Sequence, residues 1–249
     1  MPCAERSGDL PECAVVLPGS GSDEVFVRAV FAEPLRAVGL DLVAPGPRPG
    51  PAVVRGYRDA LDAALAAASG PLLVGGISLG AHVAAEWAVE QRPGAVAGLL
   101  LALPAWTGPP NGAPAALAAR ATAALVRAEG LEAALAPARA SAPPWLATEL
   151  GRAWAGYGDG LAASLECAAA TPAPDEARLR GSTVPAGIAG LVDDPVHPLA
   201  VARRWRALLP RSALLTTSLA TFGADPRAVG RAAVLGWLRA RDGDQSRRW

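Results

Sequence analysis

Residues 76–80 read Gly76-Ile77-Ser78-Leu79-Gly80, a serine with a glycine two positions away on each side. The apolar run 72–74 before it predicts a buried strand, and the run 79–91 after it predicts a helix. A serine on a sharp strand-to-helix turn leaves no room for Cβ atoms two residues away, and it places its hydroxyl at a helix N-terminus, where developing negative charge is favoured. The pattern predicts Ser78 as a nucleophile. The alternative is a serine that only caps the helix.

This motif in its strand–helix context resembles the nucleophile elbow of the α/β-hydrolase superfamily. The resemblance implies an oxyanion hole formed by the backbone N–H of Leu79 and one N–H from the loop after the first strand. Pro18-Gly19-Ser20 occupies that loop, so Ser20 is the best second donor. Ser20 and Asp23 also fit a capping box, in which Asp23 would take the Ser20 N–H, and a plain helix cap is the alternative.

The acid of a catalytic triad is expected after the strand that follows the inserted segment. The superfamily pattern Asp-Pro-x-x-Pro is matched by Asp194-Pro195-Val196-His197-Pro198, which makes Asp194 the candidate acid and Asp193 the near alternative. Both carboxylates would also be good caps for the following helix.

The triad histidine is absent from its expected place in the loop after the last strand, where the chain has Phe222. The chain contains 2 histidines. His197 is the candidate base, acting from an unusual direction; otherwise it caps or packs the start of a helix. His82 lies one helical turn after Ser78 and is expected beneath the serine as a packed, hydrogen-bonded side chain.

Alternating strand and helix patterns predict one α/β domain with a mostly parallel sheet of about six strands and helices on both faces. We expect Pro34 to break or kink the first helix, and 218–224 to be a loop. Residues 1–103 and 183–249 form the predicted core, and the alanine-rich helical segment 104–182 is the predicted cap, or lid. Extra helices packed to one side of the core are the alternative. The predicted strands are 13–17, 40–43, 72–74, 96–103, 184–192 and 213–217.

Composition narrows the classes of function. The 249 residues are 51% hydrophobic with a formal net charge of zero, which argues against nucleic acid and anionic membranes as partners. No apolar run approaches the ~18 residues of a membrane span, and the N-terminus lacks a secretory pattern. Three scattered cysteines, Cys3, Cys13 and Cys167, suggest reduced thiols in a cytoplasmic protein. Neither metal spacing nor a phosphate-binding loop is evident, so no cofactor is expected.

These patterns predict a serine hydrolase that acts on a small carboxylic ester or thioester. Trp106 is expected in the substrate pocket, with Trp145, Trp154 and Tyr157 in the lid, because such rings suit an apolar acyl or aryl group. Packing of the lid is the alternative role for these rings. An acyltransferase using the same serine is a related possibility. A different class, motivated by Phe222, is a non-catalytic ligand-binding protein on the same fold. The oligomeric state is unknown from the sequence.

Overall fold

Six strands form one sheet in the computed structural model, which describes residue 11 and residues 13–245. All neighbouring strands are parallel, in the order β2-β1-β3-β4-β5-β6. The predicted parallel sheet is therefore confirmed. The strands are β1 (Cys13–Leu17), β2 (Asp41–Val43), β3 (Leu72–Ile77), β4 (Val96–Ala102), β5 (Ala186–Leu191) and β6 (Ser212–Thr217).

Helices connect the strands and cover both faces of the sheet. The helices are α1 (Glu24–Arg36), α2 (Val53–Ala67), α3 (Leu79–Val89), α4 (Pro114–Glu129), α5 (Leu131–Ser141), α6 (Pro144–Tyr157), α7 (Leu161–Ala170), α8 (Glu176–Gly181), α9 (Leu199–Leu208), α10 (Leu219–Ala224) and α11 (Arg227–Gln245). Alternate residues of β3 belong to different core clusters: Leu72 and Val74 pack with α2, α3 and α9, whereas Leu73 and Ile77 pack with α1, α10 and α11.

Two local predictions are wrong. Helix α1 is not broken at Pro34 and continues to Arg36, because Pro34 lies near its end and the Val30 carbonyl, which loses its donor at Pro34, faces Gly230 of α11. A kink at Pro34 stays a prediction. Residues 219–224 form the short helix α10 instead of a loop, because the Ser218 hydroxyl caps it by accepting the Thr221 N–H at 3.1 Å.

The helices α4 to α8 lie in the chain between β4 and β5, and we call them the inserted helices. The helices α4 and α7 pack on the core, and α4 to α7 also share an apolar cluster that includes Leu135, Trp154, Tyr157 and Leu165.

Cys13 and Cys167 are not joined in a disulfide among the described residues, and Cys3 lies outside them. Among the described helices, none combines the length and the apolar character that crossing a membrane requires.

Candidate active site

Ser78 lies on a strained turn between β3 and α3. Its backbone has φ 52° and ψ −113°, a conformation that costs non-glycine residues about 1–3 kcal/mol and is concentrated at functional sites. A Cβ on Gly76 would lie 2.2 Å from the Gly80 carbonyl carbon, and one on Gly80 would lie 2.4 Å from the Leu17 oxygen. Both glycines are therefore needed for the turn to form.

The Ser78 side chain does not cap α3, although Ser78 stands at its N-cap position. Its Oγ lies 3.0 Å from Nε2 of His197, and the opposite ring nitrogen, Nδ1, lies 2.9 Å from Oδ2 of Asp194. A serine hydroxyl, an imidazole and a carboxylate thus form one hydrogen-bonded chain. This chain has the geometry of a nucleophile, its base and an orienting acid.

Asp194 holds His197 through the backbone as well as through the ring. Its Oδ1 accepts the N–H of Val196 at 2.8 Å and that of His197 at 3.1 Å, while Oδ2 faces the imidazole. Burial raises the pKa of the Asp194 carboxyl, but the hydrogen bonds from His197 and from both backbone groups outweigh it and leave the pKa below its ordinary value. Asp194 is therefore an ionised acceptor at neutral pH.

Asp193, the alternative acid, has another partner. Its Oδ1 accepts the N–H of Leu219 at 2.7 Å and so ties the loop after β5 to the start of α10. Of the two neighbouring carboxylates, Asp194 is the one that contacts His197.

Sheet topology brings Ser20 to the elbow. In the sheet β1 lies beside β3, with Leu17 paired to Gly76, so the loop after β1 meets the turn at Ser78. This position, where the strand order reverses direction, is where open α/β sheets form ligand crevices. A Cβ on Gly19 would lie 3.3 Å from the Ile77 oxygen and 3.6 Å from the Ser78 Cβ.

The capping box predicted for Ser20 and Asp23 is wrong. Asp23 is itself the N-cap of α1 and accepts the N–H groups of Val25 and Phe26, both at 3.1 Å. The Asp23 carboxylate therefore does not compete for the Ser20 N–H. The N–H of Leu79 belongs to the first residue of α3, where helical geometry leaves backbone donors without an intrahelical acceptor.

Phe222 fills the region where the superfamily pattern places the histidine. It is 4% exposed and packs against Phe26, at a ring-centroid distance of 5.8 Å, and against Trp145 of α6, at 5.2 Å. Ser78 has an imidazole partner although position 222 is not a histidine, because His197 reaches the serine from the loop after β5.

His82 is buried beneath the site, as the sequence suggested. Its Nε2 accepts the Ala105 N–H at 2.9 Å, which places the proton of the neutral ring on Nδ1. Burial, together with the charge of His197, lowers the pKa of His82 to about 3. Its ring lies 4.6 Å from that of Trp106, edge to face.

Trp106, predicted for the substrate pocket, is 7% exposed. Besides contacting His82, it accepts the indole N–H of Trp205 on its carbonyl oxygen at 3.1 Å. Trp106 therefore packs against His82 and Trp205, and its part in a substrate pocket stays a prediction. Within the described ranges, no group of three or more His, Cys, Asp or Glu side chains is arranged to hold a metal ion.

The contacts that the sequence did not predict come from α6. Arg152 binds Asp23, and the Tyr157 hydroxyl binds the Ser22 carbonyl oxygen. These partners are 129 and 135 positions apart in the chain, a separation across which no spacing rule operates.

The arrangement of strands and helices is shared with solved structures. A hydrolase from Pseudomonas aeruginosa PA01 has a TM-score of 0.69 and 22% identity, over 91% of this chain and 90% of that one. A thermophilic esterase from Thermogutta terrifontis has a TM-score of 0.63 and 19% identity, over 91% of this chain and 89% of that one. An alpha/beta hydrolase from Sphaerobacter thermophilus has a TM-score of 0.64 and 21% identity, over 93% of this chain and 94% of that one. The chain has the α/β-hydrolase fold.

No protein-family model matches this chain, and no curated protein matches its sequence. Sequence identities below 25% establish the fold alone.

Proposed function

We propose that the protein is a serine hydrolase that cleaves small carboxylic esters or thioesters. The observation that carries the proposal is the continuous hydrogen-bonded chain from Ser78 Oγ through both ring nitrogens of His197 to Asp194. The strained elbow adds support, because backbone strain is retained where surrounding structure enforces it for function.

In the first half of the reaction, Ser78 Oγ attacks the carbonyl carbon of the ester or thioester, and its proton passes to Nε2 of His197. Asp194 accepts the Nδ1–H hydrogen bond of the resulting imidazolium and stabilises its charge. The N–H groups of Leu79 and Ser20 are the proposed donors to the oxyanion of the tetrahedral intermediate. Collapse of that intermediate breaks the bond to the alcohol or thiol, which leaves with the proton from Nε2.

In the second half, water attacks the acyl group on Ser78 and gives one proton to Nε2 of His197. The second tetrahedral intermediate releases the carboxylic acid, and the proton returns from Nε2 to Ser78 Oγ. Every proton is carried by one imidazole, and the net reaction adds water across the ester or thioester bond.

The surroundings of the triad support a small substrate. The side chains of His197 and Asp194 are 17% and 9% exposed, and Ser78 is 9% exposed, so the site admits a small molecule in preference to a polymer. The Thermogutta terrifontis protein of similar structure is an esterase, which supports ester chemistry. We further propose that segment 104–182 is the lid of this site and that the protein works in the cytoplasm.

A fluorophosphonate probe tests the nucleophile. We expect the parent protein to be labelled and Ser78→Ala to remain unlabelled, because the probe forms a covalent bond with an activated serine Oγ. His197→Ala should be labelled far more slowly, whereas His82→Gln, the matched control at the other histidine, should still label.

The same experiment separates the other classes of function. A folded parent that is not labelled at any pH would indicate a ligand-binding protein, the hypothesis that Phe222 motivated. Labelling without ester hydrolysis, together with product formation when an alcohol or thiol acceptor is added, would indicate an acyltransferase.

A further inference from the structure

The loop after β1 carries the proposed second oxyanion donor, and three consecutive residues of it are held by side chains of α6. The Tyr157 hydroxyl donates to the Ser22 carbonyl oxygen at 2.7 Å. The Trp154 indole covers Gly21 so closely that a Cβ there would lie 2.7 Å from its Nε1. Both aromatic side chains are almost fully buried.

Arg152 makes the third contact, to Asp23. Its two terminal nitrogens donate to the two carboxylate oxygens of Asp23 at 2.7 and 2.8 Å, the bidentate geometry that fixes both partners in orientation. The Asp23 side chain is 15% exposed and that of Arg152 is 39% exposed, so solvent screens this pair less than a fully exposed one. Glu149, one turn earlier in α6, also binds Arg152 and orients its guanidinium.

The opposite end of α6 is anchored on the far side of the site. Trp145 packs edge to face on Phe222, and its indole occupies the space that a side chain on Gly223 would need, since a Cβ there would lie 2.1 Å from Nε1. Helix α6 therefore connects the loop after β1 to α10, which follows β6. The elbow strand β3 and the triad strand β5 lie between these two anchoring points in the sheet.

We propose that Arg152 and Tyr157 are positioning residues for the oxyanion hole, so that the Ser20 N–H is in place only while α6 is docked. This inference rests on the proposed hydrolase function. Ser20 lies three residues from Asp23, and the intervening chain turns at Gly21 (φ +67°), where the Ser22 N–H donates to the Gly19 carbonyl at 3.2 Å. Because Tyr157 and Arg152 hold Ser22 and Asp23, they also set the direction of that turn. Lifting α6 to admit substrate releases it.

Three conservative substitutions test this coupling. Arg152→Met removes the ion pair, Tyr157→Phe removes one hydroxyl, and Asp23→Asn removes the charge while keeping a residue that caps α1 equally well. Arg127→Met is the matched control, because the Arg127 guanidinium forms a bidentate pair with Glu166, and both residues lie within the inserted helices. Folding of each variant is checked by urea denaturation.

The readouts are kcat and KM for a short-chain p-nitrophenyl ester, and the affinity for a trifluoromethyl ketone, whose adduct with the serine presents an oxyanion. We expect kcat and inhibitor affinity to fall together by about 10-fold in each variant with KM changed less than about 2-fold, a smaller loss than the ~10²–10³ caused by removing an oxyanion donor. Asp23→Asn combined with Arg152→Met should be no worse than either alone. Arg152→Lys should recover part of the loss.

Unchanged kcat and inhibitor affinity in Tyr157→Phe and Asp23→Asn would overturn the coupling while leaving the hydrolase proposal intact. An equal loss in Arg127→Met would also overturn it, because the effect would then reflect general loosening of the inserted helices. A parent with neither turnover nor probe labelling would overturn the proposed function itself, and this inference with it. If Arg152→Met fails to fold, the other two variants decide the outcome.

Discussion

At the scale of single residues, one carboxylate carries most of the organisation of the site. Asp194 uses one oxygen for two backbone N–H groups and the other for the His197 ring, so this carboxylate sets both the turn and the orientation of the imidazole. The imidazole is held by its own neighbours in the chain and does not depend on a separate loop.

We therefore predict that Asp194→Asn lowers kcat by about 10⁴, the loss seen when a triad acid becomes an amide and the base takes the wrong tautomer. Asp193→Asn is the matched control, since Asp193 contacts the Leu219 N–H and not the imidazole. Steady-state hydrolysis of a p-nitrophenyl ester measures both. A larger loss in Asp193→Asn than in Asp194→Asn would reverse the assignment.

His82 predicts a pH dependence of stability. Burial lowers its pKa in the folded protein to about 3, whereas the unfolded chain takes up this proton near pH 6.5. Between these values the unfolded state binds more protons, so the free energy of unfolding falls as the pH is lowered through this window, with a slope of up to about 1.4 kcal/mol per pH unit for one group.

Urea denaturation of the parent and of His82→Gln between about pH 4.5 and 7 measures this slope. The variant keeps an acceptor for the Ala105 N–H but has no titrating group, so its stability should fall less steeply on acidification. Carboxylates contribute equally to both proteins and cancel in the difference. Parallel curves would show that His82 has the same pKa in the folded protein as in the unfolded chain.

At the scale of elements, the β3–α3 elbow depends on two close backbone approaches. We predict that Gly76→Ala destabilises the fold by about 3 kcal/mol or more, because a Cβ 2.2 Å from the Gly80 carbonyl carbon forces the backbone to move. Gly151→Ala, inside α6 with no atom within 4 Å of the added Cβ, should instead stabilise by about 0.5–1 kcal/mol. Urea midpoints report both. A neutral Gly76→Ala would mean that the turn has another conformation available.

The elbow could be predicted from the sequence because its cause is local: two glycines and a serine between an apolar strand and a helix. The position of the candidate acid followed from a short motif for the same reason. The base could not be settled, because a histidine three residues after the acid reaches Ser78 only if the loop after β5 folds back over the end of β4. Helix α10 was missed because six residues with one capping serine look like a turn.

At the scale of the whole molecule, Phe222 joins the core to the inserted helices by packing between Phe26 of α1 and Trp145 of α6. We predict that Phe222→Ala destabilises the protein by about 3–5 kcal/mol, the usual cost of emptying a buried aromatic site. Phe222→Leu, which keeps much of the volume, should cost markedly less. Urea denaturation measures both, and a cost below about 1 kcal/mol for Phe222→Ala would mean that the core collapses into the space.

The contacts of α6 with the loop after β1 mark the limit of sequence reasoning in this chain. The alanine-rich composition of the inserted segment predicted that it is helical, and its aromatic residues suggested either a pocket or packing. Which loop each side chain would meet depends on how the segment folds back over the sheet, and that is set by long-range packing.

The proposed acid and base, Asp194 and His197, lie within four consecutive residues, and this arrangement changes what the loop after β6 has to do. When the acid and the histidine of a triad follow two different strands, the loops after both strands must keep their length and shape. Here the segment after β6 carries no member of the relay, and it packs against α6 instead. The exposed residues Ala220, Thr221 and Ala224 can therefore be exchanged without rebuilding the relay itself, whereas Phe222 and Gly223 are fixed by their packing against Trp145.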